Sequence, residues 1–116
     1  MTSVCTGSLI HGAAGLLRGY QATSHWGVLE RIADYGATPS EARICIDRNR
    51  ATGGGVTSGI DFALHMAGLW KGEAFGRMVE LILEYNPAPP FGAGHPSLAD
   101  AGTIAQASTL LAGQFS

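Results

Sequence analysis

Charge is scarce in this 116-residue chain: Asp, Glu, Lys and Arg make up 14% of it, with a formal balance of −2. Without a basic excess there is no electrostatic footprint for a polyanion, which argues against nucleic acid as a partner. No apolar run approaches the roughly 20 residues that span a bilayer, so no membrane partner is expected. No Lys or Arg precedes Arg18, whereas a secretory leader opens on a basic segment. Cysteine is also sparse. Cys5 and Cys45 show neither metal-ligand spacing nor a disulfide framework, and a reducing cytoplasm is the default location. His11, His65 and His95 are not spaced as metal ligands either, and no internal repeat is present. What is plentiful is glycine, with 17 residues, and hydrophobic side chains, at 46%. That much apolar content argues against disorder and supplies one domain with a core. So much glycine suits an α/β chain with tight turns better than a helical bundle.

The run Ser3-Val4-Cys5-Thr6-Gly7-Ser8-Leu9 reads as the end of a strand, a sharp turn bearing a thiol, and the start of a helix. Small residues flank the nucleophile position in strand–nucleophile–helix elbows, because the backbone doubles back too tightly for bulk. A thiol at a helix N-terminus meets the positive end of the dipole, which favours the nucleophilic thiolate. The competing reading of Cys5 is a buried structural thiol, a common fate for free cysteine.

Apolar spacing predicts a helix over Ser8–Arg18, closed by Gly19, and a short extended piece over Gln21–Ser24 ending at His25-Trp26. A second helix is expected from about Gly27 to Tyr35, stopped by Gly36. Arg43–Asp47 alternates, with Ile44 and Ile46 on one face, and Arg48-Asn49 forms a two-residue turn into a return strand at Arg50–Gly53. At most four short strands are expected. Ser58 with Asp61 three residues on forms a capping box for a helix over Gly59–Trp70, apolar nearly all round and hence deeply buried. A helix over Glu73–Tyr85 follows, its stripe Phe75, Met78, Val79 and Ile82 read as core. Pro87–Pro96 is a Pro- and Gly-rich arm, and a weak helix starts at Ser97. Gly53-Gly54-Gly55 lacks the Gly-Lys-Ser/Thr ending of a phosphate loop, so close passage of strand and helix is the better reason for it. Cys45, on the alternating strand, reads as structural.

Three segments together, SVCTGSLIHGAAGLLRGYQATSHW, RATGGGVTSGIDFAL and LEYNPAPPFGAGHP, resemble the PfpI branch of the class I glutamine amidotransferase-like superfamily. Within it the likeness is to the isonitrile hydratase (cyclohexyl-isocyanide hydratase) group, over residues 2 to about 96. The resemblance implies a flavodoxin-like α/β sandwich with Cys5 as nucleophile and neither metal nor organic cofactor. The Cys5 thiolate would attack the terminal carbon of R–N≡C, and water would resolve the thioimidate to an N-substituted formamide. Thr6 would supply a hydroxyl and a backbone N–H beside the reacting carbon. It stands where the PfpI proteases carry histidine, which counts against a Cys-His peptidase. Gly7 and His25 would line the substrate pocket, with His25 alternatively hydrogen-bonding the backbone at a strand end.

In that family the catalytic carboxylate and a second oxyanion donor lie far upstream of the elbow, yet only Met1–Val4 precede Cys5. The resemblance therefore implies a partial sandwich lacking its N-terminal strands: residues 1–96 as the C-terminal part of a PfpI-like domain, and 97–116 as a weakly helical tail. Expected partners are a small isonitrile and either a second copy or a complementing N-terminal half. Two other readings compete. One is a non-catalytic truncated fragment. The other is a sensor domain related to AraC-type regulators, disfavoured because no basic helix-turn-helix module follows the arm.

Overall fold

The computed structural model describes residues 1–115, arranged as two compact units, Met1–Tyr85 and a second from Asn86 onward. The first unit runs β1 (Thr2–Val4), α1 (Gly7–Ala13), β2 (Gln21–Ala22), a 3₁₀ helix (Leu29–Tyr35), β3 (Thr38–Pro39), β4 (Ile44–Asp47), β5 (Arg50–Gly53), α2 (Ser58–Lys71) and α3 (Glu73–Ile82). β1, β5 and β4 form one sheet in that order, with β1 parallel and β4 antiparallel to β5. β2 and β3 form a separate parallel pair.

Local chemistry explains the hairpin. β4 and β5 pair from Asp47–Arg50 to Ile44–Gly53 around the Arg48-Asn49 loop, and Arg48 sits at φ 55°, as primed two-residue turns require. β5 is the central strand, so Ala51, Thr52 and Gly53 are all buried, whichever face they address. Phe62 and Met66 of α2 pack on Ala51 and Ile44. A second cluster joins Leu17, Ala22, Leu29, Ile32 and Ala37, with Leu9 of α1 against it.

Several expectations need correction. The first helix stops at Ala13, because Gly15 and Gly19 both adopt left-handed backbone (φ 78° and 79°) and turn the chain back. The second is 3₁₀ and starts at Leu29, although Gly36 does end it in the left-handed region (φ 82°). The described residues form five strands, two of them only two residues long, where at most four were expected. Ile44 and Ile46 do not share one environment: Ile44 packs on the Phe62 cluster, while Ile46 is exposed.

The helical hairpin departs most. α2 buries only Ser58, Phe62 and Met66, leaving Trp70 70% exposed. α3 buries no residue at all, and Ile82 of its apolar stripe is 73% exposed. α3 lies against α2 at Gly68 and Gly76, where an added Cβ on Gly76 would sit 3.5 Å from the Gly68 backbone. The capping box is absent. Thr57 is the N-cap of α2 without a side-chain bond, and Ser58 Oγ donates to Gly55 O at 2.5 Å. Asp61 instead accepts from Arg43 Nε and from the Tyr85 hydroxyl, tying the approach to β4 to the end of α3. Burial pushes the Asp61 carboxyl up, but the hydrogen bonds from Tyr85 and Arg43 outweigh it and hold the group below its ordinary value.

In the second unit, residues 86–100 form neither helix nor strand, and α4 spans Ala101–Phe115. Asp100 is itself the cap, its Oδ1 accepting the Thr103 N–H at 2.7 Å, so the helix begins later than Ser97.

Candidate active site

The strand-to-helix elbow is present. Cys5 follows β1 directly at φ 55°, a left-handed conformation that costs an L-residue about 1–2 kcal/mol. Such strain persists only where surrounding contacts over-determine it. Here they act on both backbone groups. The Cys5 N–H is shared between Gly54 O at 2.6 Å and Gly53 O at 3.1 Å, and the Cys5 carbonyl accepts Ser24 Oγ at 2.8 Å and Ser8 Oγ at 3.3 Å. Both serines are buried, at 4% and 0% exposure. Four hydrogen bonds from three separate segments therefore hold the thiol-bearing residue, while the side chain itself is only half-buried.

Thr6 occupies the N-cap position of α1, but its hydroxyl does not cap the helix. Gly7 is less tightly confined than the elbow pattern suggests. A Cβ there would stand 3.6 Å from Ser3 Cβ, an ordinary contact, so no clash demands glycine. The close passage is at Gly53, where a Cβ would come within 3.1 Å of both the Phe62 ring and Val4 Cγ1. Gly54, beside it, donates to Arg43 O at 2.9 Å while its carbonyl receives the Cys5 N–H.

His25 follows Ser24 and lies against Gly55, with Cδ2 3.4 Å from where a Gly55 Cβ would stand. Its Nδ1 accepts the Gly27 N–H at 3.0 Å, which fixes the neutral tautomer protonated at Nε2. Its ring is tilted against Trp26 with centroids 5.5 Å apart. Burial lowers its pKa below the ordinary 6.5. A lowered histidine value means that stability is fully present above the unfolded pKa and is lost as pH falls below it. An NMR titration is expected to place the His25 midpoint below 6.5, with the Gly27 amide shift moving on the same curve. A midpoint above 6.5 would contradict the burial account.

The bonds by which Ser8, Ser24 and Gly54 hold Cys5 have no local signal in the sequence. Ser24 lies within the Thr-Ser-His-Trp stretch, but nothing local says that its hydroxyl faces a carbonyl 19 residues away. Cys45 is buried and unpaired, opposite Thr52 in the hairpin. Among the described residues no carboxylate hydrogen-bonds to Cys5, and no group of three or more His, Cys, Asp or Glu is arranged to hold a metal ion. A groove of about 620 Å³ runs between α2 and α3, lined by Ile44, Asp61, Leu64, His65 and Arg77 among others, and Cys5, Thr6, Gly7 and His25 take no part in it. No helix among the described residues is long and apolar enough to cross a membrane.

Comparison with known proteins accounts for this arrangement. The chain is 49% identical over 107 residues to isonitrile hydratase of Pseudomonas putida, covering 92% of itself and 47% of that protein. It is 36% identical over 87 residues to the HTH-type transcriptional regulator GbdR of Pseudomonas aeruginosa, covering 72% of itself and 23% of the regulator. The crystal structure of a ThiJ/PfpI family protein from Pseudomonas syringae superposes with a TM-score of 0.93 at 50% identity, over 96% of this chain and 46% of that one. DJ-1 of Toxoplasma gondii shares the fold at a TM-score of 0.64 and 23% identity, over 74% of this chain and 46% of its own. The chain thus spans less than half the length of its relatives, within an α/β fold that matches theirs over that part. The DJ-1/PfpI family model matches residues 1–68, more than half of the chain, and the chain belongs to the DJ-1/PfpI family.

Proposed function

We propose that this chain carries the nucleophile-bearing part of a cysteine-dependent site that hydrates isonitriles to N-substituted formamides. The observation that carries this reading is the left-handed Cys5, held at the end of β1 by hydrogen bonds at both its N–H and its carbonyl. Strain maintained at a single thiol is the signature of an elbow that presents a nucleophile. The 49% identity to isonitrile hydratase supports the substrate class.

In this reading the Cys5 thiolate forms a C–S bond to the terminal carbon of R–N≡C, and that carbon takes up one proton to give the thioimidate. Water adds to the C=N carbon; one of its protons passes to nitrogen and the other returns to the acid that supplied the carbon proton. The thiolate leaves as the formamide carbonyl forms. The net change is addition of one water, with no redox step. Thr6 offers its uncommitted hydroxyl and Gly7 its uncrowded backbone beside the reacting carbon, while His25, neutral at pH 7, forms a pocket wall. The proton for carbon needs an acid, and no carboxylate within the described residues hydrogen-bonds to Cys5. A complementing part of the family domain is therefore the expected partner, and a reducing cytoplasm suits the two free thiols.

The test is to co-express the chain with the part of Pseudomonas putida isonitrile hydratase outside the matched region, add cyclohexyl isocyanide, and look for N-cyclohexylformamide by mass spectrometry. Product is expected from the complemented sample. A folded complex that yields neither product nor a Cys5 adduct would sink the reading. The 36% identity to a transcriptional regulator favours one other possibility, a sensor module. Saturable binding of a small molecule without turnover would select it.

A further inference from the structure

The left-handed strain at Cys5 and one net hydrogen bond are of similar size. The margin that holds the residue is therefore a matter of one or two bonds, and their origins differ. The Cys5 N–H bonds to Gly53 O and Gly54 O continue the pairing of β1 with β5. Ser8 stands on the elbow itself, three residues on, with its Oγ at 3.3 Å. Among the described residues, Ser24 Oγ at 2.8 Å is the one side-chain donor that reaches Cys5 from a separate segment.

That segment is itself fixed. Ala22, Thr23 and Ser24 are all buried. Ala22 O accepts the Ser40 N–H at 2.8 Å just after β3, and the Thr23 N–H donates to Thr52 Oγ1 at 2.8 Å in the central strand. The Ser24 hydroxyl thus arrives on a backbone anchored by two other elements, as the supporting groups of a site must be. What it holds is a peptide as well as a residue. The oxygen shared by Ser8 and Ser24 belongs to the Cys5–Thr6 peptide, which is planar and trans. Fixing that oxygen fixes the opposite N–H, so the Thr6 N–H points away from the two buried serines. As the N-cap residue of α1, Thr6 has no intrahelical acceptor for that N–H.

We propose that Ser24 is a positioning residue for the reaction at Cys5: through the Cys5 carbonyl it keeps the thiol and the Thr6 donors aimed at one reacting carbon. It acts through Cys5 rather than on the substrate. The inference deepens the hydration reading and rests on it for the reacting carbon, whereas the bond itself lies wholly within this chain.

Ser24→Ala is the diagnostic variant, and Ser24→Thr the one that keeps the hydroxyl. Each is assayed in complex with the part of Pseudomonas putida isonitrile hydratase outside the matched region. Ser24→Ala is expected to lower kcat for cyclohexyl isocyanide about tenfold at unchanged KM, the kinetic equivalent of one hydrogen bond. Ser24→Thr should recover most of that loss. Ser8→Ala, which removes the longer bond, should lose less than Ser24→Ala. A second readout needs no partner. In the full chain alone, alkylation of Cys5 by iodoacetamide, followed by peptide mass spectrometry, should slow about fivefold in Ser24→Ala. Thermal melts confine both comparisons to folded protein. An unchanged kcat, with or without a raised KM, overturns the positioning role, as does alkylation at the unchanged rate. A folded Ser24→Thr as slow as Ser24→Ala does the same. If the unchanged complex yields no formamide, the hydration chemistry falls and the alkylation rates decide the role of Ser24 by themselves.

Discussion

Cys5→Ala is expected to lower formamide formation by the complemented chain at least about a thousandfold, since no other group can form the covalent intermediate. Cys5→Gly should be equally inactive, yet it separates two contributions that Ala leaves merged. At φ 55° an L-residue carries about 1–2 kcal/mol of steric cost that glycine does not. Glycine in turn loses about 0.5–1 kcal/mol more backbone entropy on folding. The steric cost is the larger, so Cys5→Gly should be more stable than Cys5→Ala by about 0.5–1 kcal/mol, or a few degrees of Tm for a domain near this size. Thermal melts of the two inactive variants give the answer directly. Equal stabilities would mean that the elbow stores no strain, and the strongest structural reason for reading Cys5 as a nucleophile would go with it.

The second large effect is expected at Thr52→Val, which changes shape very little. Thr52 is buried in the central strand, where its Oγ1 accepts the Thr23 N–H at 2.8 Å and donates to Cys45 O at 3.4 Å. Valine leaves the Thr23 N–H buried without a partner, which costs about 2 kcal/mol. Urea denaturation should show a lower midpoint at an unchanged slope. Thr52→Ser, which keeps the oxygen, should recover most of the loss. Thr23 precedes Ser24, whose hydroxyl holds the Cys5 carbonyl, so the valine variant should also lose activity in the complemented assay. A variant as stable as the unchanged chain would remove this tether from the account of how the site is held.

Both predictions concern contacts of long sequence separation, and there the legibility of the sequence ends. The β4–β5 hairpin was readable because its signals are local: alternation, then two turn residues, then a return strand. Gly36 as a helix stop and the positions of α2 and α3 were readable for the same reason. The stripe on α3 was equally clear, but its burial was misjudged. Periodicity reports which residues share a face, and says nothing about whether anything covers that face. Asp61 was assigned to a cap because Ser58 stands three residues before it, while its true partners, Arg43 and Tyr85, lie 18 and 24 residues away. The parallel pairing of β1 with β5 has no local signature at all.

A thiol between a strand and a helix, glycines that bring β5 close to its neighbours, and the family that the motifs resemble are all legible in residue order alone. All of these depend on residue types within a few positions of one another, where sterics and capping chemistry act directly. It takes the fold to show that Cys5 adopts a left-handed backbone and that Ser8, Ser24, Gly53 and Gly54 hold it there. The fold also shows that, among the described residues, the strand leading to Cys5 pairs with β5. One cause underlies these outcomes: main-chain N–H and C=O groups are the same at every residue, so which partner each meets is settled by how the segments pack.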